Sequence, residues 1–238
     1  MPNPDALNEY YANYFRGEGP KITHDSPERF ARHIASFIRE PRRDMAITDF
    51  GGGDGNMAYS VAQILANRGC SSIAISVIDH VACVVSRDPR IAIETQRPGA
   101  AIPGSDIIIA SAVLEHLTNP LEALAQLFRA LGRDGLLYIR TPAVAGILKW
   151  ATACGRPLDF TFPAHLHDFG QRFWENILRL IPDGREFEVL HSAPSLVETD
   201  FCHHPWHTVA AHVAKAPWHV LGRRYTLVGG WEIVFQRK

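Results

Sequence analysis

The chain has little of what several specialised protein classes need. Its four cysteines, Cys70, Cys83, Cys154 and Cys202, are scattered, with no Cys-x-x-Cys pair. That argues against a zinc ribbon or a dithiol redox site and leaves free thiols in a reduced compartment as the expectation. Charge of one sign is also missing: 24 Lys and Arg face 25 Asp and Glu, a net charge of −1. No electrostatic footprint for a phosphate backbone is present, so a nucleic-acid partner is not expected. No long apolar run exists either. The most apolar stretch, Asp106 to Leu117, is broken by Ser111 and Glu115 and is too short to span a bilayer. The opening MPNPDALNEYYANYF has neither a basic start nor an apolar core, so a signal peptide is not expected. These absences predict a soluble, cytoplasmic protein. What is present is ordinary for a globular chain: 238 residues, 46% hydrophobic and 21% charged. That length accommodates one large α/β domain and buries about 70–75% of the unfolded surface.

The pattern along the chain alternates. An aromatic opening with Tyr10, Tyr11, Tyr14 and Phe15 precedes a helix announced by Ser26 as N-cap and Pro27 at the first helical position. Strands are expected at Met45–Phe50, Ser72–Ile78, Ile91–Thr95, Asp106–Ser111 and Gly135–Thr141. Helices are expected at Asn56–Arg68, His80–Ser86 and Pro120–Leu131, the last with Asn119 as N-cap. Strands alternating with helices imply a parallel sheet covered on both faces. The last third is less regular. It carries a Gly/Pro-punctuated connection over Pro142–Pro163 with a short helix near Ile147–Ala151, a helix at Gln171–Ile181, and strands at Glu186–His191 and Tyr225–Phe235. Between those strands lies a His- and Trp-rich segment, Glu198–Leu221.

The chemistry is concentrated where the first strand runs into GGGDGN, giving acid-x-Gly-x-Gly-x-Gly at Asp49, Gly51, Gly53 and Gly55. Strand, tight turn and helix bring backbone N–H groups and a helix N-terminus against a ligand. The dinucleotide fingerprint fails, because Asn56 or Ala58 stands where its third glycine belongs, and no Gly-Lys pair exists for a P-loop. Asp49 would repel a phosphate and suits a cation such as an amino-acid ammonium. The second strand ends in Val-Ile-Asp, so Asp79 stands at its tip, where a carboxylate accepts from the hydroxyls of a ribose. Ribose, ammonium and no phosphate together describe S-adenosylmethionine.

With DFGGGDGN and VID, the segment SDIIIASAVLEHL (Asp106, Val113, Leu114 and His116) and the strand GLLYIRTP make the chain resemble the class I S-adenosylmethionine-dependent methyltransferases of the small-molecule branch. The resemblance covers Ala46 to Pro142. It implies a doubly wound, Rossmann-like α/β fold: a mostly parallel seven-stranded sheet with an antiparallel last strand, helices on both faces and an N-terminal helical lid. It implies one domain over 1–238, with a cap at 1–43, a cofactor core at 44–142 and substrate-facing segments and last strands at 143–238. Cofactor contacts are expected from Asp49, Gly51, Gly53, Gly55, Asn56 and Asp79. His80 is expected beside the adenine with one of Glu94, Thr95 or Gln96, Thr95 marking that strand tip. Ser111 and Ala112 are expected at the methionine part, and Glu115 and His116, beginning the next helix, near the sulfonium.

Methyl transfer is an in-line displacement that needs alignment and exclusion of water, and in principle no metal. A hydroxyl nucleophile needs a base, for which histidine is suited. His116 stands after the fourth strand, and FPAHLHDFG supplies His165 and His167, with Asp168 placed to orient a histidine or meet the substrate. If the segment is extended, spacing of two puts His165 and His167 on one side. Tyr10 and Tyr14 are expected to close over the substrate. Within CHHPWH, His203 and His207 have ligand spacing beside Cys202, but Pro205 interrupts and no carboxylate is near, so no metal is assigned. The expected partner is a small-molecule or glycan-like acceptor, modified at O or N, and the expected assembly is a monomer or homodimer. Two alternatives remain open. A nicotinamide-dependent oxidoreductase or epimerase would share the glycine turn, but a Tyr-x-x-x-Lys pair is missing. A non-catalytic partner subunit would retain the pocket.

Overall fold

The computed structural model describes residues 27–80, 84–157, 165–195 and 204–238. Seven strands form one sheet: β1 Asp44–Phe50, β2 Ser72–Ile78, β3 Ile91–Gln96, β4 Ser105–Ser111, β5 Leu131–Ala143, β6 Phe187–Pro194 and β7 Gly229–Arg237. Their order is β3-β2-β1-β4-β5-β7-β6. β1 to β5 run parallel, and β7 lies antiparallel between β5 and β6. The fold expected from the sequence is therefore present. Chain order reverses between β1 and β4, and such a switch opens a crevice at the carboxyl ends of the strands.

Helices α1 Pro27–Ser36, α2 Asn56–Asn67, α3 Pro120–Ala130, α4 Ala145–Ala153, α5 Gln171–Leu180, α6 Pro205–Lys215 and α7 Trp218–Leu221 complete the described architecture. The cores follow strand periodicity. On β4, Ile107 and Ile109 join α1 and α2 on one face, while Ile108 and Ala110 join α3 and α5 on the other. Both faces are covered, so β4 is buried along nearly its whole length, which is why its sequence is a continuous apolar run rather than an alternation.

Several local expectations are corrected. The described residues between His80 and Ser86 form no helix; residues 81–83, with Cys83, lie outside the described set. Asn119 does not cap α3 with its side chain, because its amide donates to Glu122 Oε2 at 2.8 Å instead. Pro205 does not interrupt a helix. It opens α6 in the first turn, where a missing N–H costs nothing. The proposed lid with Tyr10 and Tyr14, the cap Ser26, and Cys202 and His203 lie outside the described residues. Of the described cysteines, Cys70 and Cys154 are free. No helix among the described residues is long and apolar enough to cross a membrane.

Candidate active site

The glycine loop joins β1 to α2 at the switch in strand order. Three of its glycines, Gly51, Gly53 and Gly55, hold positive φ angles of 70°, 59° and 75°, a region that L-residues with a side chain disfavour. Gly52 is needed for another reason. A Cβ there would stand 2.2 Å from Asp49 Cγ, so the loop backbone lies directly on the carboxylate. Asp49 itself is 2% exposed, and its Oδ2 has no hydrogen-bond partner. Burial, offset in part by the backbone N–H of Ala58 and reinforced by Asp79 and Asp54, raises its pKa to about 7.

A small cavity of about 10 Å³ lies between Asp49, Gly51, Gly52, Asp54, Asn56 and Ser111. It has room for one water-sized or ammonium-sized group. A buried carboxylate, one oxygen unpartnered, facing such a space under a side-chain-free loop fits the ammonium end of S-adenosylmethionine. Asp79, at the tip of β2, accepts from Gly53 N at 2.8 Å and from its neighbour His80 N at 2.6 Å. These bonds clamp the loop to the strand tip and fix the carboxylate. His80 and Thr95 are both exposed, and β3 places Thr95 beside Val77, two residues before Asp79.

The tip of β4 is strained. Ala112 takes φ 55°, a conformation that costs a non-glycine residue of order 1 kcal/mol and concentrates at functional sites. It is held by donating to Arg140 O at 2.9 Å. After it, Leu114–His116 makes a single 3₁₀ turn. That turn buries Glu115 to 1% exposure, leaves its Oε2 without a hydrogen-bond partner, and burial raises its pKa to about 7 despite the nearby Arg140 charge. His116 Nε2 lies 4.0 Å from Glu115 Oε1, and the His116 and His165 rings are 5.0 Å apart. Glu115, His116 and His165 thus converge.

His167 goes elsewhere. The chain bends at Leu166, where the backbone N–H groups of Leu166 and His167 both donate to Glu115 O, at 2.7 and 3.2 Å. The segment is therefore not extended. The His167 ring bonds Leu117 O at 2.9 Å and stacks on Phe169. Asp168 accepts from Val144 N at 2.8 Å and Ala145 N at 2.9 Å, closing the N-terminus of α4 from outside that helix. His204 and His207 are exposed on or beside α6.

This arrangement can be set beside known proteins. Residues 22–192, well over half of the chain, match the family described as a methyltransferase domain. The chain belongs to that family. Family and sheet order together make it a class I S-adenosylmethionine-dependent methyltransferase. No curated protein matches it in sequence. Among solved structures, it is similar to the plantazolicin methyltransferase BpumL in complex with SAH, at 12% identity and TM-score 0.55, covering 99% of this chain and 91% of that one. Magnesium protoporphyrin IX methyltransferase from Synechocystis PCC 6803 with bound SAH is 13% identical, with TM-score 0.54 and coverage of 99% and 96%. The cyclase SpnF is 15% identical, with TM-score 0.53 and coverage of 98% and 92%. At such identities the likeness shows the fold, and a fold hosts more than one chemistry.

Two residues of this methyltransferase site, Gly52 and Arg140, were not singled out from the sequence, and Glu115 was expected near the sulfonium but not as a buried carboxyl. Gly52 reads as one glycine among four until its approach to Asp49 is seen. Glu115 reads as a helix-start charge, and only the 3₁₀ turn buries it. Arg140, with its guanidinium Nη1 3.5 Å from Ser111 Oγ and its ring partner Phe30 5.6 Å away, reads as an interruption in a strand. No local signal distinguishes a buried ionisable residue from an exposed one at those positions.

Proposed function

We propose that this methyltransferase moves a methyl group from S-adenosylmethionine to an oxygen or nitrogen of a small-molecule acceptor. The observation that carries the reading is the buried Asp49 carboxylate, its Oδ2 without a hydrogen-bond partner, against a glycine loop that a single Cβ would block. In this reading Asp49, with Gly51, Gly53, Gly55, Asn56 and Ser111 around it, holds the amino-acid end of the cofactor. Asp79 takes the ribose hydroxyls, and His80 and Thr95 flank the adenine. When bound, S-adenosylmethionine supplies an electrophilic methyl on a sulfonium. The protein aligns the acceptor at the tip of β4, where the fixed turn at Ala112 leads to Glu115, His116 and His165. Glu115, with a pKa near neutrality, takes the acceptor proton directly or through His116 or His165, the pKa match that general-base catalysis needs. His167 and Asp168 shape this wall by fixing the chain that carries His165. We assign the core 44–142 to the cofactor and 143–238 to the acceptor side, with all of 1–238 as one unit.

Calorimetric titration with S-adenosylhomocysteine, with NADH in parallel, tests the reading. Micromolar binding of the former, lost in Asp79→Ala, with no NADH signal supports it. NADH binding, or no binding of S-adenosylhomocysteine, overturns it.

A further inference from the structure

A second cluster lies on the α1 face of the sheet, away from the glycine loop. His33 of α1, His191 of β6 and Glu232 of β7 each offer one ligand atom, and these atoms all lie within 4.8 Å of one another. His191 Nε2 is 3.0 Å from Glu232 Oε1 and His33 Nε2 is 3.2 Å from the same oxygen. The His33 contact is outside hydrogen-bond geometry, and that nitrogen has no hydrogen-bond partner. Two imidazoles crowd one carboxylate oxygen within ion-pair distance, and the His33 nitrogen is not aligned to give it a proton. These separations match the edges of a coordination tetrahedron, about 3.3 Å for bonds of about 2.0–2.1 Å.

The surroundings complete the pattern. Glu232 is 4% exposed, and its second oxygen accepts from the Tyr138 hydroxyl at 3.3 Å, the kind of outer contact that orients a ligating carboxylate. The cluster opens onto a cavity of about 340 Å³ whose wall also includes Arg29, Lys215 and His219. Glu232 pairs across β7 with Arg140, which pairs with Ser111 on β4. Two interstrand spacings therefore separate Glu232 from Ser111, about 10 Å.

From this geometry we infer that His33, His191 and Glu232 form a site for a single divalent transition metal of the zinc type, with its fourth position open to the cavity. The donor set selects the class. Two imidazoles and one carboxylate suit zinc, cobalt(II) or nickel(II), whereas magnesium and calcium demand oxygen ligands. The basic wall of Arg29 and Lys215 favours an anionic oxygen, from hydroxide or a small molecule, at the open position. Three protein ligands and one open position are the layout of zinc sites that act on a bound molecule rather than purely structural ones.

The test uses the full chain stripped with a chelator and titrated with cobalt(II), then zinc(II). The expected result is one equivalent of cobalt bound, with the intense visible absorption of a four-coordinate nitrogen–oxygen site, displaced by zinc. His33→Ala and His191→Ala should each weaken binding by about 10-fold or more, and Tyr138→Phe by about 10-fold through loss of its outer contact. His33→Ala also removes an ion-pair partner of the buried Glu232, so its circular-dichroism melt without metal serves as the baseline for the melt with metal. Zinc should raise the melting temperature of the unaltered chain and not that of His33→Ala. The site is refuted by weak octahedral-type absorption only, by binding that survives both histidine substitutions, or by magnesium competing as well as zinc. None of these readouts depends on S-adenosylmethionine, so this inference and the proposed function fail separately.

Discussion

In the proposed reaction two buried carboxyls set the chemistry at the scale of single residues, and they make opposite demands. Asp49 must be ionised to hold an ammonium, yet burial raises its pKa to about 7. Cofactor binding should therefore strengthen as pH rises from 6 to 8, because each ligand that pairs with Asp49 must first displace its proton. Asp49→Asn should flatten that dependence and lower S-adenosylhomocysteine affinity by about 10- to 100-fold, the value of one charge-assisted hydrogen bond. Calorimetry at three pH values in buffers of different ionisation heat reads both effects. Glu115 is asked to accept a proton instead. Glu115→Gln keeps the shape and the backbone carbonyl that holds Leu166 and His167, so S-adenosylhomocysteine should bind within about 3-fold of normal. Turnover should fall by about 10²–10⁴, and the rise of rate with pH near 7 should disappear. A purely structural Glu115 would leave the pH profile unmoved. The sequence pointed to Asp49 because an acid before a glycine run has few other uses, and to Glu115 as a neighbour of the sulfonium; the burial of Glu115 was not legible, because it comes from a turn only the folded chain shows.

Elements carry the next level. The loop between β1 and α2 works by close approach, so its sensitivity should be local. Gly52→Ala places a Cβ 2.2 Å from Asp49 Cγ and should abolish S-adenosylhomocysteine binding. Gly99→Ala, at φ 90° with open space around it, should cost stability of order 1 kcal/mol through backbone strain alone and leave binding intact. Paired titrations and urea melts separate the two causes. The 165–170 segment behaves differently, since it is tied to α4 through Asp168. Asp168→Ala removes the partners of Val144 and Ala145 N–H and should lower stability by about 1 kcal/mol, as loss of a helix cap does. The helices α2, α3 and α5 and the strands of the core were legible because their periodicity is strong. The pair α6 and α7 was missed, since Pro205 and the Ala216–Pro217 break masked two helices that leave Trp206 and Val220 largely exposed. The alternation at His165 and His167 failed for a related reason: spacing fixes a face only if the backbone stays extended, and a bend at Leu166 does not announce itself.

At the scale of the whole molecule, the order of strands was implied by motif resemblance and not by local pattern. Nothing in β6 or β7 says that they exchange places at the sheet edge. The same long-range pairing unites His33 with His191 and Glu232, more than 150 residues further along the chain, which is why no spacing rule points to them. The sheet also makes stability depend on pH through the active site. Asp49 and Glu115 hold protons more tightly folded than unfolded, where their pKa values are near 3.8 and 4.5. Well below pH 3.8 both are protonated in either state. As pH rises towards 7 the folded chain retains protons that the unfolded chain has released, so stability attributable to these groups falls across that window. The loss is on the order of 4 kcal/mol for Asp49 and 3 kcal/mol for Glu115 at the upper end. Asp49→Asn and Glu115→Gln remove it, so each variant should gain stability relative to the unaltered chain as pH rises from 4 to 8, with the double variant gaining most. Saturating S-adenosylhomocysteine should raise the melting temperature of the unaltered chain more at pH 8 than at pH 6, and that difference should vanish in Asp49→Asn. Melts of the four proteins across pH, with and without ligand, decide it. Parallel curves for all four would mean that these carboxyls titrate as ordinary ones, and that the buried pair does not trade folding stability for function.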